Sequence, residues 1–212
     1  MNRFDKAAPT WDEDPMRTTL AHAVSSAIKD NIRLNGGMKA LEYGCGTGLV
    51  TIELAPYVKE VLAVDLSEGM LSVLKGKING LGIKNIFPRR MDLTQAPPLN
   101  EGFDLIYTSM TLHHIQDVKG LMRSFGRMLN PYGFMAIADL DLEDGTFHQK
   151  DAEGVRHNGF DRGEILTILD SLGLKNLKAV TAHEVQKTLP DGEMRSYSVF
   201  LIFGSLTRHD TL

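Results

Sequence analysis

Residues 41–48 read Leu41-Glu42-Tyr43-Gly44-Cys45-Gly46-Thr47-Gly48 and close a short apolar run. Glycines at alternating positions let a chain turn sharply out of a strand and bring main-chain atoms against a ligand, because no Cβ blocks the approach. A dinucleotide fingerprint would put its third glycine at 49, where Leu49 stands. A P-loop would close on Gly-Lys-Ser/Thr, and here Gly48 leads into Leu49-Val50. The acidic Glu42 suits a ligand with an ammonium or hydroxyl groups and would repel a pyrophosphate. Twenty-one positions after Gly44, Asp65 ends the next apolar run. A carboxylate there can accept both hydroxyl hydrogens of a ribose, or it can serve as a helix N-terminal charge. His113, His114, His148 and His157 are the candidate bases, since a positioned imidazole can speed a proton transfer ~10²–10⁴-fold. They lack a metal spacing such as His-Glu-x-x-His, so no metal is expected. Cys45 is the one cysteine, which leaves no partner for a disulfide or a cysteine-cluster zinc site. Inside the glycine loop it reads as a small buried filler rather than a nucleophile.

The elements that would position these groups alternate along the chain. Residues 1–15 are polar, contain Pro9 and Pro15, and read as an arm. From Met16 to Leu34 the apolar residues fall at helical spacing, until Asn35-Gly36-Gly37 stops them. Met38–Tyr43 reads as a strand, then the glycine loop and a helix over 48–56. Glu60–Asp65 is a second strand, and Ser67 caps a helix running to about Asn79. Asn85–Met91 is a third strand, made short or peripheral by Pro88. Phe103–Thr108 is a fourth. Asp117 caps a helix whose apolar face is Val118, Leu121, Met122, Phe125, Met128 and Leu129. Pro131-Tyr132-Gly133 turns the chain into a fifth strand, Phe134–Asp139. Repeated strand–helix alternation implies a parallel, doubly wound sheet. Residues 140–160 show no period, and a loop that long is often functional. Asp161 with Glu164 marks a capped helix start. Leu177–Val185 and Ser196–Leu206 then follow with only the turn Pro190-Asp191-Gly192 between them, so they must pair antiparallel.

The chain has 212 residues, 42% of them hydrophobic and 24% charged, ordinary values for one globular α/β domain. The net charge of −4 offers no basic field for nucleic acid or an anionic membrane. Neither an apolar leader nor a run of membrane-spanning length is visible, and the cytoplasm is the simplest compartment.

Taken together, the motifs Leu41–Gly48, Ala63-Val64-Asp65-Leu66-Ser67, Met91-Asp92-Leu93, Phe103–Thr108 with Ser109-Met110-Thr111-Leu112-His113-His114-Ile115, and Leu129–Phe134 resemble the class I S-adenosylmethionine-dependent methyltransferases over nearly the whole chain. The flavour is that of the small-molecule, type 11 branch that includes the ubiquinone and menaquinone methyltransferases. The resemblance implies a Rossmann-like α/β fold with a seven-stranded, mostly parallel sheet in the order 3-2-1-4-5-7-6, its last hairpin antiparallel. It implies an arm and capping helix over 1–35 and a cofactor-binding domain over 36–212. It implies S-adenosyl-L-methionine as cofactor, with S-adenosyl-L-homocysteine as product. Asp65 would bind the ribose. Asp92 would accept from the adenine amino group while the Leu93 amide donates to the ring. Leu66 completes that stretch. Met70 would either pack on adenine or belong to the core. Glu42 would orient the amino-acid end, Gly44, Cys45 and Gly46 would cradle the cofactor, and Ser109 and Met110 would flank its methionine portion. Trp11 is either a staple on the core or a lid over the cofactor, and Arg17 either meets an anion or is solvated.

His113 and His157 are the candidate catalytic bases, beside the alternative that the His113-His114 pair is scaffold. Adjacent residues point apart, so at most one of that pair is expected to face the site. The position after strand four lacks the Asn/Asp-Pro-Pro-Tyr/Phe of nucleic-acid amino-methylating enzymes, and no Pro-Cys pair exists. A small or medium organic acceptor is therefore the expected partner. Three rivals stand beside this reading: aminopropyl transfer from a related cofactor, a non-catalytic binding partner on the same fold, and NAD binding, which Leu49 and the terminal hairpin disfavour.

Overall fold

The computed structural model describes residues 3–148 and 154–207. Seven strands form one sheet in the order β3-β2-β1-β4-β5-β7-β6. The central strands β1 (Lys39–Tyr43), β2 (Glu60–Asp65) and β4 (Phe103–Ser109) are almost continuously apolar, as strands covered on both faces must be. They pair in parallel, with Tyr43 opposite both Val64 and Thr108. That register brings the carboxyl ends of the three strands to one line. β3 (Ile86–Arg90) is an edge, where Pro88 interrupts no further pairing. β5 (Leu129–Leu140) extends the parallel set beside β4, and β7 (Met194–Leu206) returns antiparallel against it.

Strand alternation divides the core between the two faces. Ala40, Val61, Ala63, Leu105 and Tyr107 face α2 (Pro15–Asn31), α3 (Leu49–Leu54) and α4 (Glu68–Leu81). Leu41, Tyr43, Leu62, Val64 and Ile106 face α5 (Val118–Met128) and α6 (Arg162–Ser171). The caps read from the sequence form. Ser67 Oγ accepts from Met70 N at 3.2 Å, Asp117 from Gly120 N at 2.8 Å, and Asp161 from Glu164 N at 3.0 Å.

Three segments depart from expectation. The arm is not irregular: Arg3–Ala7 form a short helix, α1, and Ala8–Glu13 a 3-10 helix. Docking on α4 holds them, as described below. β5 begins five residues before the expected Phe134, because Leu129 still pairs with Phe103 before the register shifts. Tyr132, at φ 65°, makes the shift in a left-handed conformation that costs a bulky side chain energy. The hairpin is longer than expected, with β6 covering Leu174–Thr188 and pairing out to Thr188 opposite Met194. β6 is an outer edge, mostly exposed, so its sequence lacks the apolar alternation that would have revealed its length.

Candidate functional site

The glycine loop leaves β1 at the carboxyl edge of the sheet. Gly44 and Cys45 donate to Val64 O at 2.8 and 3.0 Å. Gly44 has φ 74°, and a Cβ there would lie 2.2 Å from Thr111 Oγ1, so only glycine fits. Gly46 differs. At φ 54° its absent Cβ would face open space. Gly46 N donates to Asp65 Oδ2 at 2.7 Å, and Ser67 N donates to Oδ1 at 2.8 Å. A carboxylate has about four lone-pair sites, so two stay available for ribose hydroxyls. Burial raises the Asp65 carboxyl, the N–H groups of Ser67 and Gly46 pull it back, and Asp5 adds a smaller upward push.

Glu42 shares the strand face of Ala40 and points into the α3 side, where Thr51 Oγ1 donates to Oε2. It is 2% exposed. Burial pushes it up to about 8, against Thr51 and the nearby Tyr107 hydroxyl. The buried carboxyl thus holds its proton well above the usual carboxylate range. Cys45 is buried core, and burial raises its thiol. Met70 is 2% exposed, so its side chain lies in the core. Leu93 is buried as well, which leaves its backbone to meet a ligand. Leu66 is the opposite case, an apolar side chain 44% exposed next to Asp65 in the chain. Asp92 accepts from Thr94 N at 2.9 Å and Thr94 Oγ1 at 2.6 Å, both on Oδ1. The buried Tyr43 hydroxyl has no partner at hydrogen-bond distance among the described residues, and burial first, then nearby Asp92 and Asp65, raise it. Ser109 ends β4, and Met110 follows at φ 51° with its N–H on Ala138 O at 2.9 Å. A methionine in that region is strained, a feature concentrated at functional sites.

The arm lies across this rim. Asp5 Oδ1 accepts from Ser67 Oγ at 2.6 Å and from Gly69 N at 3.0 Å. The arm backbone passes so close that a Cβ on Gly69 would lie 2.9 Å from Asp5 Cα. Asp12 accepts from Thr47 Oγ1 at 2.5 Å and pairs with Lys77 at 2.7 Å. Trp11 sits under the Arg17 guanidinium, 3.8 Å from its ring centre, and 6.0 Å from Phe4. Arg17 also pairs with Asp14 at 3.3 Å, with 34% of its side chain still exposed.

Beyond β4 the histidines gather. Leu112–His114 form a 3-10 turn rather than a strand, so His113 and His114 do not diverge as expected; their rings lie 4.1 Å apart. His113 is 2% exposed, and its Nδ1 lies 2.7 Å from Asp139 Oδ1 at the end of β5. Burial alone would raise Asp139, but His113 and the N–H groups of Leu140 and His113 hold it below the usual carboxylate value. A carboxylate only accepts, so Nδ1 carries the hydrogen and Nε2 the lone pair. His148 joins the pair at 4.8 Å from His113. His157 is not brought among them. Its Nε2 donates to Ile115 O at 2.8 Å and its ring packs on Phe160 at 5.1 Å.

Sequence reasoning missed Asp5, Asp12 and Asp139. Asp139 carried a signal, since it ends a strand as Asp65 does. The arm carboxylates had none, because their partners are about 35 to 65 residues away. A shallow surface cleft of about 370 Å³, lined by Leu99, Gly102, Met128 and Pro131, holds none of these groups.

An open α/β sheet with a glycine loop, a strand-end acid and a buried histidine at one carboxyl edge places the chain in the Rossmann-like class of folds. Residues 16–179 match the methyltransferase domain family, and the chain belongs to it. It is 27% identical over 186 residues to an uncharacterised methyltransferase of Schizosaccharomyces pombe, covering 81% of this chain and 65% of that one. Phosphoethanolamine N-methyltransferase 1 of Triticum aestivum is 31% identical over 154 residues, covering 71% and 31%. Malonyl-[acyl-carrier protein] O-methyltransferase of Bacillus anthracis is 28% identical over 150 residues, covering 69% and 54%. The chain thus spans less than two thirds of each of these relatives. Among solved structures, a SAM-dependent methyltransferase from Aquifex aeolicus shares the fold at TM-score 0.67 and 19% identity, covering 96% of this chain and 98% of that one. Phosphoethanolamine N-methyltransferase 2 of Haemonchus contortus, solved with S-adenosyl-L-methionine, does so at 0.71 and 14%, covering 98% and 61%. Among the described residues, no helix is long and apolar enough to cross a membrane, and no group of His, Cys, Asp or Glu is placed to hold a metal.

Proposed function

We propose that this chain transfers a methyl group from S-adenosylmethionine to a small or medium organic acceptor. The observation that carries the reading is Asp65, held by Gly46 and Ser67 at the rim of the open space above Gly46. In this reading Asp65 takes the ribose hydroxyls. Tyr43, with its unpartnered hydroxyl, Leu66, Asp92 and the Leu93 amide surround the adenine. Gly44, Cys45 and Gly46 cradle the cofactor by their backbone, and Glu42 answers the amino-acid end. Ser109 and Met110 flank the methionine portion, and Met70 supports from the core. Residues 1–35 form the cap, with Trp11 and Phe4 over the rim, and 36–212 the catalytic unit. The bound cofactor supplies an already activated methyl, so the protein mainly orients the acceptor and excludes water, which can contribute ~7–11 kcal/mol. His113, held by Asp139, is the base. His157, bound to Ile115 O, fastens the loop before α6. Small-molecule acceptors fit the relatives' names and the absence of a nucleic-acid motif, and a cytoplasmic site of action belongs to the same reading.

Calorimetric titration with S-adenosylmethionine, S-adenosylhomocysteine and NAD tests it, followed by a labelled-methyl screen of metabolite extracts. Binding of the first two without NAD is expected. Absence of that binding, or an Asp65→Ala variant with full activity, would overturn the proposal. Decarboxylated S-adenosylmethionine in the same assay separates aminopropyl transfer.

A further inference from the structure

Tyr43 ends β1 on the face of the sheet covered by α5, where it is 2% exposed and meets the Phe125 ring edge-on at 5.8 Å. Packing there asks only for a ring. A phenylalanine would fill the same space, yet tyrosine adds a buried hydroxyl with no hydrogen-bond partner among the described residues. Such groups are rare in folded proteins, because a buried donor left unsatisfied forfeits its bonds to water. The Tyr107 hydroxyl on the opposite face shares that condition, but its carboxyl neighbour Glu42 is itself closed off in the core. The carboxylate near Tyr43 is Asp92, only half-buried on the loop after β3. Strand β2 lies between β1 and β3, so a side chain as long as tyrosine's is needed to span the gap. Leu93, the next residue of that loop, buries its side chain in the same cluster as Tyr43.

The lone pairs of Asp92 can be counted. A carboxylate has about four acceptor sites, two on each oxygen. Oδ1 takes Thr94 N at 2.9 Å and Thr94 Oγ1 at 2.6 Å, which fills it. Oδ2 accepts no hydrogen bond from the described residues, so two sites remain. Asp65, the other acid near the Tyr43 hydroxyl, already holds a backbone N–H on each oxygen. Burial first, then Asp92 and Asp65, raise the Tyr43 hydroxyl, so it keeps its hydrogen at neutral pH. A carboxylate oxygen only accepts, so between these two groups Tyr43 is the donor.

Resting on the methyl-transfer reading above, we infer that Tyr43 is a positioning residue that sets specificity for the cofactor's base: its hydroxyl donates to Asp92 Oδ2, and the second lone pair of that oxygen takes a hydrogen of the adenine amino group. With Thr94 on Oδ1 and Tyr43 on Oδ2, the carboxylate is held from both sides and cannot swing to suit a different base. A purine with a carbonyl in place of the amino group fails on two counts. Its oxygen faces Oδ2, acceptor against acceptor, and its ring N–H faces the Leu93 amide, donor against donor. Rejection of this kind is strong, because a site built around a hydrogen bond leaves its own buried groups unpaired when the ligand lacks the match. The hydroxyl that packing does not need thereby has a use, and a phenylalanine at 43 would not supply it.

The experiment uses the full chain with S-adenosylhomocysteine and its deaminated analogue S-inosylhomocysteine as probes. Wild type is expected to bind the first more tightly by about tenfold or more, read by calorimetry for one and by displacement for the other. Tyr43→Phe should weaken S-adenosylhomocysteine by about tenfold and change S-inosylhomocysteine by less than about twofold. In the Asp92→Ala chain the same substitution should cost less than about twofold, because its acceptor is gone. Without ligand, the melting temperature of Tyr43→Phe should equal or exceed the wild type's, since an unsatisfied buried hydroxyl has been removed. Circular dichroism checks that each variant folds. Equal wild-type affinity for the two ligands, equal losses for both in Tyr43→Phe, a loss that persists in the Asp92→Ala chain, or a lowered ligand-free melting temperature would each overturn the inference while leaving the cofactor reading intact. Failure of S-adenosylhomocysteine to bind the wild type would sink both.

Discussion

The two ends of the crevice are built in different ways. At the glycine-loop end, the key contacts are backbone groups within one βα turn and the acid that ends the neighbouring strand: Gly44 and Cys45 on Val64 O, Gly46 and Ser67 on Asp65. At the histidine end, the contacts are side chain to side chain and join the arm, the turn after β4, the end of β5, the following loop and the hairpin: Phe4 with His114, His113 with Asp139, His148 with Phe147, Lys187 over Phe147. A backbone cradle can serve one unvarying ligand, because main-chain geometry tolerates few alternatives. A side-chain row can be rewritten residue by residue, which is how one fold comes to carry many acceptors.

That contrast can be broken first at the buried pair. Asp139→Ala leaves a buried imidazole without its acceptor and should lower stability by ~3–5 kcal/mol, read by denaturant unfolding, while Asp139→Asn, which keeps an acceptor oxygen, should lose much less. Equal losses would show that the pair does not orient His113.

The cofactor end should respond to pH in the opposite sense from an ordinary carboxylate site. Glu42 holds its proton up to about 8 against an ordinary 4.5, so the folded state binds that proton more tightly than the unfolded chain does. Its contribution is complete below about 4.5 and is lost as pH rises through 8, on the order of 4 kcal/mol in all. Thermal melts of Glu42→Gln should lack that alkaline slope, and a slope as steep as the wild type's would refute the assignment. His114 and His148 run the other way. Their stability is present above about 6.5 and lost as pH falls towards 4 and 3, so His148→Gln should flatten the acid limb.

Smaller effects sharpen the comparison. Asp65→Ala should weaken S-adenosylhomocysteine on the order of 100-fold in calorimetry, by loss of charge-assisted bonds to the ribose. Gly44→Ala should cost ~2 kcal/mol, since alanine must adopt φ 74° and push Thr111 aside, and Thr111→Ser in the same chain should not rescue the backbone part. Asp12→Ala should cost at most ~1 kcal/mol, the worth of a partly exposed ion pair, yet raise amide exchange in residues 3–13. Unchanged exchange there would mean that Asp5 and the aromatic contacts hold the arm without Asp12.

Reading the chain without its structure reached the strand order, the caps at Ser67, Asp117 and Asp161, and the placing of the glycine loop and Asp65 at the carboxyl ends of neighbouring strands, because each of those signals is local. Period-two and period-3.6 patterns, a glycine that must turn and an acid that ends a strand all act within a few residues of themselves. The length of β6 escaped, since an exposed edge leaves no apolar imprint.

What only the tertiary fold decided is the company each polar side chain keeps. The His113 and His114 rings meet at a tilt of 55° because a 3-10 turn follows Thr111. Asp139 becomes the partner of His113 because β4 and β5 lie side by side, 26 residues apart in the chain. The arm folds because α4 and the glycine loop give Asp5 and Asp12 their hydrogen-bond donors. Such pairings depend on closing long stretches of chain, and the free energy for that comes from the packed sheet and helices rather than from the residues that end up touching.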